Sequence, residues 1–375
     1  MSIVSRRVVS AAARSVLVGG LLVGAGRVAR AARGVPLAVG ASDAVLRARA
    51  ASSPHSRDGR FGNTEPGVQI APGELRGLLL RLLTRGTTGT PSAPVPIAAD
   101  VQPVTAGELA LTWYGHSSVL LEIDGRRVLT DPVWSERVSP SERVGPRRLH
   151  PAPVPLQALP QVDAVVVSHD HYDHLDMATV RRLGHETAAV FVVPVGIGAH
   201  LRRWGVPDDR IRELDWNDAT EVAGLTITCA EARHFSGRLF ARNTTQWSSW
   251  AVAGPRRRAY FGGDTGYTAA FSEAGARLGP FDVTVLPVGA YDVAWPDIHM
   301  NPEESVRAHR DLRGGLLVPV HWATFNLAFH GWSEPVTRLR AAAETARIPL
   351  VVPRPGQRVD LLVPPALDDW WSALG

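Results

Sequence analysis

The sequence predicts an α/β (α+β) fold of two sheets with helices on their outer faces. Two observations carry that expectation. From residue 109 the chain meanders through short apolar strands joined by tight turns, and in its last third strands alternate with helices. A third observation sharpens it: histidines and acids recur just past the carboxyl ends of these strands, where α/β sheets gather their ligands.

A chain of 375 residues can bury a substantial core. Hydrophobic residues at 45% and charged residues at 20% describe an ordinary globular protein. The net charge is +4, and all 40 basic residues are arginine. With abundant Ala, Gly, Pro and Val, that usage fits a GC-rich bacterial coding sequence. No arginine stripe interleaved with aromatics is present, so nucleic acid is not an expected partner. The single Cys229 lies in an apolar strand and rules out an internal disulfide.

Three regions follow from composition. Residues 1–50 hold Arg6-Arg7, an apolar run from Ser15 to Gly26, and then Arg27, Arg30 and Arg33. The run is short for a bilayer span. Export by a twin-arginine-like signal, a basic arm lying on the inner membrane, and a cytoplasmic protein with an unstructured arm all remain open. Residues 51–107 are rich in Pro, Gly, Ser and Thr. Within them Glu74 to Arg85 carries a broad leucine face that predicts one helix, a packing or partner surface.

The main domain is expected over 108–375. Leu109–Trp113 and Ser118–Ile123 read as strands, and Asp124-Gly125 as a hairpin turn into Arg127–Thr130. Val162–Val167 is a buried strand, Met177–Leu183 a helix, Ala189–Val193 a strand and Ala199–Trp204 a short helix. Ile211–Leu214, Leu225–Ala230, Trp250–Ala253 and Arg258–Phe261 follow as strands. After a helix from Ala269 to Leu278 and a strand from Asp282 to Val288, Asn301-Pro302-Glu303-Glu304 opens a helix. It has a capping residue, a first-turn proline and a capping-box acid. Gly315–Val320 is a strand, and a helix begins near Pro335.

The stretch Ser168-His169-Asp170-His171-Tyr172-Asp173-His174-Leu175-Asp176 holds three histidines and three acids within nine residues, straight after an apolar strand. A solvated loop has no need of three histidines, whereas imidazoles and carboxylates at such spacing can converge on one or two divalent metals. His234, Asp264 and His321 each follow a strand of their own. Five histidines and two acids would satisfy two metals and leave room for a shared water.

His169-x-His171-x-Asp173-His174 with His234, Asp264 and His321 resembles the metallo-β-lactamase superfamily, over roughly Glu108 to Val363. The resemblance implies a four-layer αββα sandwich with a binuclear zinc site, iron or manganese being acceptable to the same donors. It further implies one metal on His169, His171 and His234, a second on Asp173, His174 and His321, and Asp264 bridging.

Segments around the ligands are similar to a narrower branch, that of N-acylphosphatidylethanolamine-hydrolysing phospholipase D and its bacterial relatives. They include Trp113-Tyr114-Gly115-His116-Ser117-Ser118, Thr130-Asp131-Pro132, Gly263-Asp264-Thr265-Gly266-Tyr267 and Asn301-Pro302-Glu303-Glu304. That branch implies a phosphodiesterase of lipid metabolism, cleaving its substrate with a metal-bridged hydroxide. Asp173 and Asp264 would orient the nucleophile and take its proton, and His299 would serve as proton donor or phosphate contact. A lactonase or other ester hydrolase of the ascorbate-6-phosphate lactonase type is the alternative. A metal-binding, membrane-associated protein without activity is a third reading, against which the intact ligand set argues. Small-molecule or phospholipid substrates, a membrane surface and a further copy of the chain are the partners in view.

His116 and Asp131 are expected to support ligands from behind, with a purely structural role equally open. Asp170 and Asp176 are expected to brace the loop. Trp247, Trp250, Trp295, Trp322, Phe235 and Phe240 are candidates for lining an acyl channel, although core packing is the usual fate of tryptophan.

Overall fold

The computed structural model describes residues 31–68, 70, 73–98, 100, 102–239 and 241–375. The expectations for the arginine pair and apolar run before residue 31, and for Phe240, lie outside them. Among the described residues no helix is long and apolar enough to cross a membrane.

The chain opens with helices α1 (Val35–Ala38) and α2 (Asp43–Ala50), a small hairpin of β1 (Ser56–Arg57) and β2 (Arg60–Phe61), and helix α3 (Glu74–Thr84). The domain proper begins with β3 (Leu109–Gly115), β4 (Ser118–Ile123), β5 (Arg126–Thr130) and β6 (Ala164–Val166). Next come α4 (Met177–Glu186), β7 (Val190–Pro194), α5 (Ile197–Arg203) and β8 (Ile211–Leu214). The second half comprises β9 (Ala219–Val222), β10 (Leu225–Ala230), β11 (Ser249–Ala253), β12 (Arg258–Phe261), α6 (Ala270–Arg277) and β13 (Phe281–Pro287). It closes with α7 (Pro302–Asp311), β14 (Gly314–Val320), α8 (Glu334–Ala346) and β15 (Arg358–Asp360).

One sheet runs β15-β3-β4-β5-β6-β7-β8 and the other β14-β13-β12-β11-β10-β9. The first is antiparallel from β15 to β5 and parallel from β5 to β8; the second is antiparallel from β9 to β12 and parallel from β12 to β14, with α4, α5, α6 and α7 in the crossovers after β6, β7, β12 and β13. The period-two alternation of strands explains the layering. Leu111, Trp113, Leu121 and Ile123 join Ile227, Trp250, Phe261 and Val285 in the core between the sheets. Alternate residues Leu120, Leu129, Val165 and Phe191 pack instead on Val180, Leu183 and Leu201 of α4 and α5. Phe271, Ala308 and Leu339 bring α6, α7 and α8 against the other outer face. The result is the expected helix–sheet–sheet–helix stack.

Helix α7 begins as its sequence dictates. Asn301 accepts from the Glu304 amide at 2.9 Å, and Glu304 accepts in return from the Asn301 amide at 3.0 Å. Two strands escape a sequence reading. In β9 only Val222 is buried and in β15 only Val359, so neither shows an apolar run; both are edge strands. The helices and hairpin of residues 35–61 are also additions to the expected arm.

Candidate metal centre

The site forms where strand ends of both sheets meet. The loop between β6 and α4 carries His169, His171, Asp173 and His174. His234 follows β10, Asp264 follows β12, and His321 follows β14. Asp176 fixes the far end of the first loop by capping α4, accepting from the Ala178 amide at 3.2 Å and from Ser135 N at 3.0 Å. Asp170 turns away from the cluster and accepts from Gly237 N at 2.6 Å.

Donor atoms gather in two groups. His171 Nδ1 lies 2.8 Å from His169 Nε2 and 3.4 Å from His234 Nε2. Asp173, His174 and His321 form the second group, with Asp173 Oδ2 3.5 Å from both His174 Nε2 and His321 Nε2. Asp264 Oδ2 sits between them: 3.0 Å from His174 Nε2, 3.1 Å from His321 Nε2, 3.9 Å from His234 Nε2 and 4.0 Å from His169 Nε2. All these side chains except those of His171 and Asp173 belong to fully buried residues.

The ring partners fix which nitrogens face inward. His234 Nδ1 meets the Ile298 carbonyl at 3.0 Å, and His174 Nδ1 meets Asp131 Oδ2 at 2.7 Å. Carbonyls and carboxylates only accept, so each Nδ1 carries a proton and each Nε2 faces the cluster, free to offer a lone pair to a metal. Ser168 Oγ donates to Asp131 Oδ2 at 2.6 Å and so accepts from His169 Nδ1 at 2.9 Å, with the same outcome. His174 Nε2, His321 Nε2 and Asp264 Oδ1 are buried with no hydrogen-bond partner. Buried polar atoms are normally paired; converging lone pairs and carboxylate oxygens are a donor set suited to divalent cations.

Charge supports the same conclusion. Burial alone would raise the carboxyls of Asp173 and Asp264, yet neighbouring imidazoles, His174 first, hold both well below the usual range. Burial holds His169 and His234 well below the ordinary imidazole value, hence neutral. His174 and His321 go the other way. Against the effect of burial, Asp264 and Asp173 drive His174 well above its ordinary value and His321 to about 9. The carboxylates call for positive charge at this point, which metal ions would supply.

Asp131 and His116 stand behind the donors. Asp131 also accepts from Ser168 N at 2.7 Å, and His116 Nε2 lies 2.9 Å from Asp173 Oδ2. His116, Asp131 and His321 all have positive φ, at 52°, 35° and 63°, a cost that clusters at functional sites. Asp131→Asn keeps the shape of the side chain but gives His174 Nδ1 a neutral acceptor. Metal affinity is expected to fall about 10–100-fold, measured by chelator competition.

His299 reaches the cluster from the loop before α7, with Nδ1 3.8 Å from Asp264 Oδ2 and its ring stacked 5.0 Å from His321. It also lines a cavity of about 420 Å³ with Val293, Phe329, His330, Arg338 and, from the N-terminal arm, Arg81. Phe235 stands 4.5 Å from the His171 ring, and Trp295 6.0 Å from Phe329. Trp247, Trp250 and Trp322 are buried in the core, where their size is best accommodated, and Trp322 also borders a small cavity of about 20 Å³ with His116 and His321.

Sequence reasoning missed several supports. Asn63 of the arm brackets His234, donating to its carbonyl at 2.9 Å and accepting from its amide at 3.0 Å. Buried Arg148 donates to the carbonyls of Val133 at 2.8 Å and Tyr114 at 2.9 Å, bracing the turn that presents His116. Buried arginines carry no local pattern that would have singled them out.

Residues 126–322 match the family model of the beta-lactamase superfamily domain. A Mycobacterium tuberculosis protein described as uncharacterized is 58% identical over 348 residues, covering 91% of this chain and 94% of that one. The N-acyl-phosphatidylethanolamine-hydrolyzing phospholipase D 1 of Caenorhabditis elegans is 40% identical over 229 residues, 58% of this chain and 64% of that protein's length. Among solved structures, the metallo hydrolase Igni18 of Ignicoccus hospitalis shares the fold at a TM-score of 0.53 and 22% identity, over 67% of this chain and 97% of that one. The chain belongs to the metallo-β-lactamase superfamily of metal-dependent hydrolases.

Proposed function

We propose that this protein hydrolyses a phosphodiester bond in an N-acylphosphatidylethanolamine-like phospholipid. His169, His171 and His234 would hold one divalent ion, Asp173, His174 and His321 a second, and Asp264 both, zinc being the ion best suited to these donors. The observation that carries the reading is the convergence of both groups on Asp264 Oδ2, in a chain related to a phospholipase D of this specificity. Bound ions would supply Lewis acidity and a water of lowered pKa.

The chain's own residues supply the rest. Asp264 Oδ1, buried and unpartnered, is placed to take a proton from the attacking water. Asp173 is oriented by His116 and keeps its carboxylate turned to His174 and His321. His299 Nδ1, also unpartnered, would donate a hydrogen bond to a substrate oxygen as charge builds there. Phe329 and Val293 give the adjoining cavity apolar wall for a lipid chain. Leu80, Leu82 and Leu83 of α3 are 61%, 54% and 84% exposed, beside Arg81, which reaches into the same cavity wall. Such a face favours contact with a lipid surface.

Incubating the protein with N-acylphosphatidylethanolamine vesicles and, separately, with phosphorylated sugar lactones tests the reading. The expected products are an N-acylethanolamine and phosphatidic acid. Turnover of the lactones alone would replace the phospholipase reading with that of an ester hydrolase.

A further inference from the structure

Arg238 is 2% exposed and has no carboxylate within salt-bridge reach among the described residues. Its guanidinium is spent on backbone carbonyls. Nη1 donates to Asp170 O at 2.7 Å and Leu175 O at 3.0 Å; Nη2 and Nε donate to Ala38 O at 2.7 and 3.2 Å. Tyr172 and Trp204 flank the cation, 4.0 and 5.1 Å from their ring centroids. Burying a guanidinium is costly, and it persists only where its donors are satisfied. Here they tie three segments together: the loop bearing His169 to His174, the segment after His234, and the N-terminal arm.

The two carbonyls from Asp170 and Leu175 bracket the stretch that presents His171, Asp173 and His174, so the guanidinium fixes the width of that loop. Gly237, at φ 153°, brings its amide to 2.6 Å from Asp170 Oδ1 and couples the same loop to His234. The arm closes the arrangement from outside. Ala41 N donates to His200 Nδ1 at 2.9 Å, and His200 Nε2 stands 3.6 Å from Asp170 Oδ2. Gly40 is at φ 90°, and a Cβ there would lie 2.0 Å from His200 Nδ1.

We infer that Arg238 is a positioning residue for the metal centre, and that the arm around Ala38–Ala41 is its outer brace. The arm, which precedes the segment matched by the family model, is thus part of the apparatus that shapes the metal donors. This inference rests on the metal-binding reading of the site, and its test separates the two.

Full-length wild type, Arg238→Gln and Gly40→Ala are titrated with Zn²⁺ against a fluorescent chelator and melted with and without Zn²⁺. Arg238→Gln is expected to weaken Zn²⁺ binding about 10–100-fold and to shrink the rise in melting temperature that Zn²⁺ confers. Gly40→Ala, which disturbs only the brace, should move both in the same direction by less. A merely structural role would lower the melting temperature of the metal-free and metal-loaded forms alike. Wild-type Zn²⁺ affinity in both variants would therefore overturn the inference even if the melting temperatures fell. Should Arg238→Gln fail to fold, Gly40→Ala decides alone. Wild type that takes up no Zn²⁺ would remove the metal reading itself, and the inference with it.

Discussion

Asp264→Asn is expected to cut hydrolysis of bis-p-nitrophenyl phosphate by on the order of 10³-fold, about 4 kcal/mol of transition-state stabilisation. The substitution preserves shape and removes one negative charge. That charge matters because Asp264 Oδ2 is the atom that faces imidazoles of both donor groups, at 3.0 to 4.0 Å. Without it the two donor groups would lose the anionic oxygen they share, and Oδ1 could no longer take a proton. Metal content should fall together with rate. His171→Ala should lose activity on a similar scale, since its Nδ1 is the point on which His169 and His234 converge. Exposed Asp208→Asn serves as control. Full activity in Asp264→Asn would show that the reaction takes place elsewhere.

Glu122→Ala is expected to destabilise the fold by about 3 kcal/mol, the lower part of the range for breaking a buried ion pair. Glu122 lies on β4 and is fully buried. It accepts from Arg358 Nε at 2.7 Å and Nη2 at 3.0 Å, and from the Gly107 amide. It thereby pins β15 to the sheet. Truncation strands the guanidinium, though Arg358 keeps 23% of its side chain in water, which moderates the loss. Burial alone would raise the Glu122 carboxyl, but Arg358 and the Gly107 amide hold it below its ordinary 4.5. A carboxyl depressed in the folded state adds stability that is present above its unfolded value and lost as pH falls through the folded one. The melting temperature of wild type should thus drop on acidification below about 4.5 more steeply than that of Glu122→Gln. Chemical denaturation at neutral pH measures the first effect and thermal melting across pH the second. Metal content should not change in either variant.

Much of this architecture is legible in the order of residues, for physical reasons. Strands such as β4 and β13 are buried along most of their length, so apolar runs betray them. The donors were legible because histidine and aspartate recur at short spacing straight after such runs. Edge strands β9 and β15 were not, since one residue of each faces the core. The supports were legible only in part. Asp131 and His116 stood out as polar residues at strand ends, whereas Arg238 and Asn63 act through carbonyls and amides brought together from distant segments. No local pattern encodes that convergence. The tryptophans misled for the opposite reason: nearness in sequence to a ligand says nothing about which way a ring points, and Trp250 and Trp322 are buried in the core.

Two metals sharing Asp264 are the centre of the proposed chemistry. A crystal grown with zinc and measured at its absorption edge tests that directly. The expected anomalous map holds two peaks, one bonded to His169, His171 and His234, the other to Asp173, His174 and His321, with Asp264 bonded to both. A single peak, or peaks that leave Asp264 without a bond to metal, would contradict it.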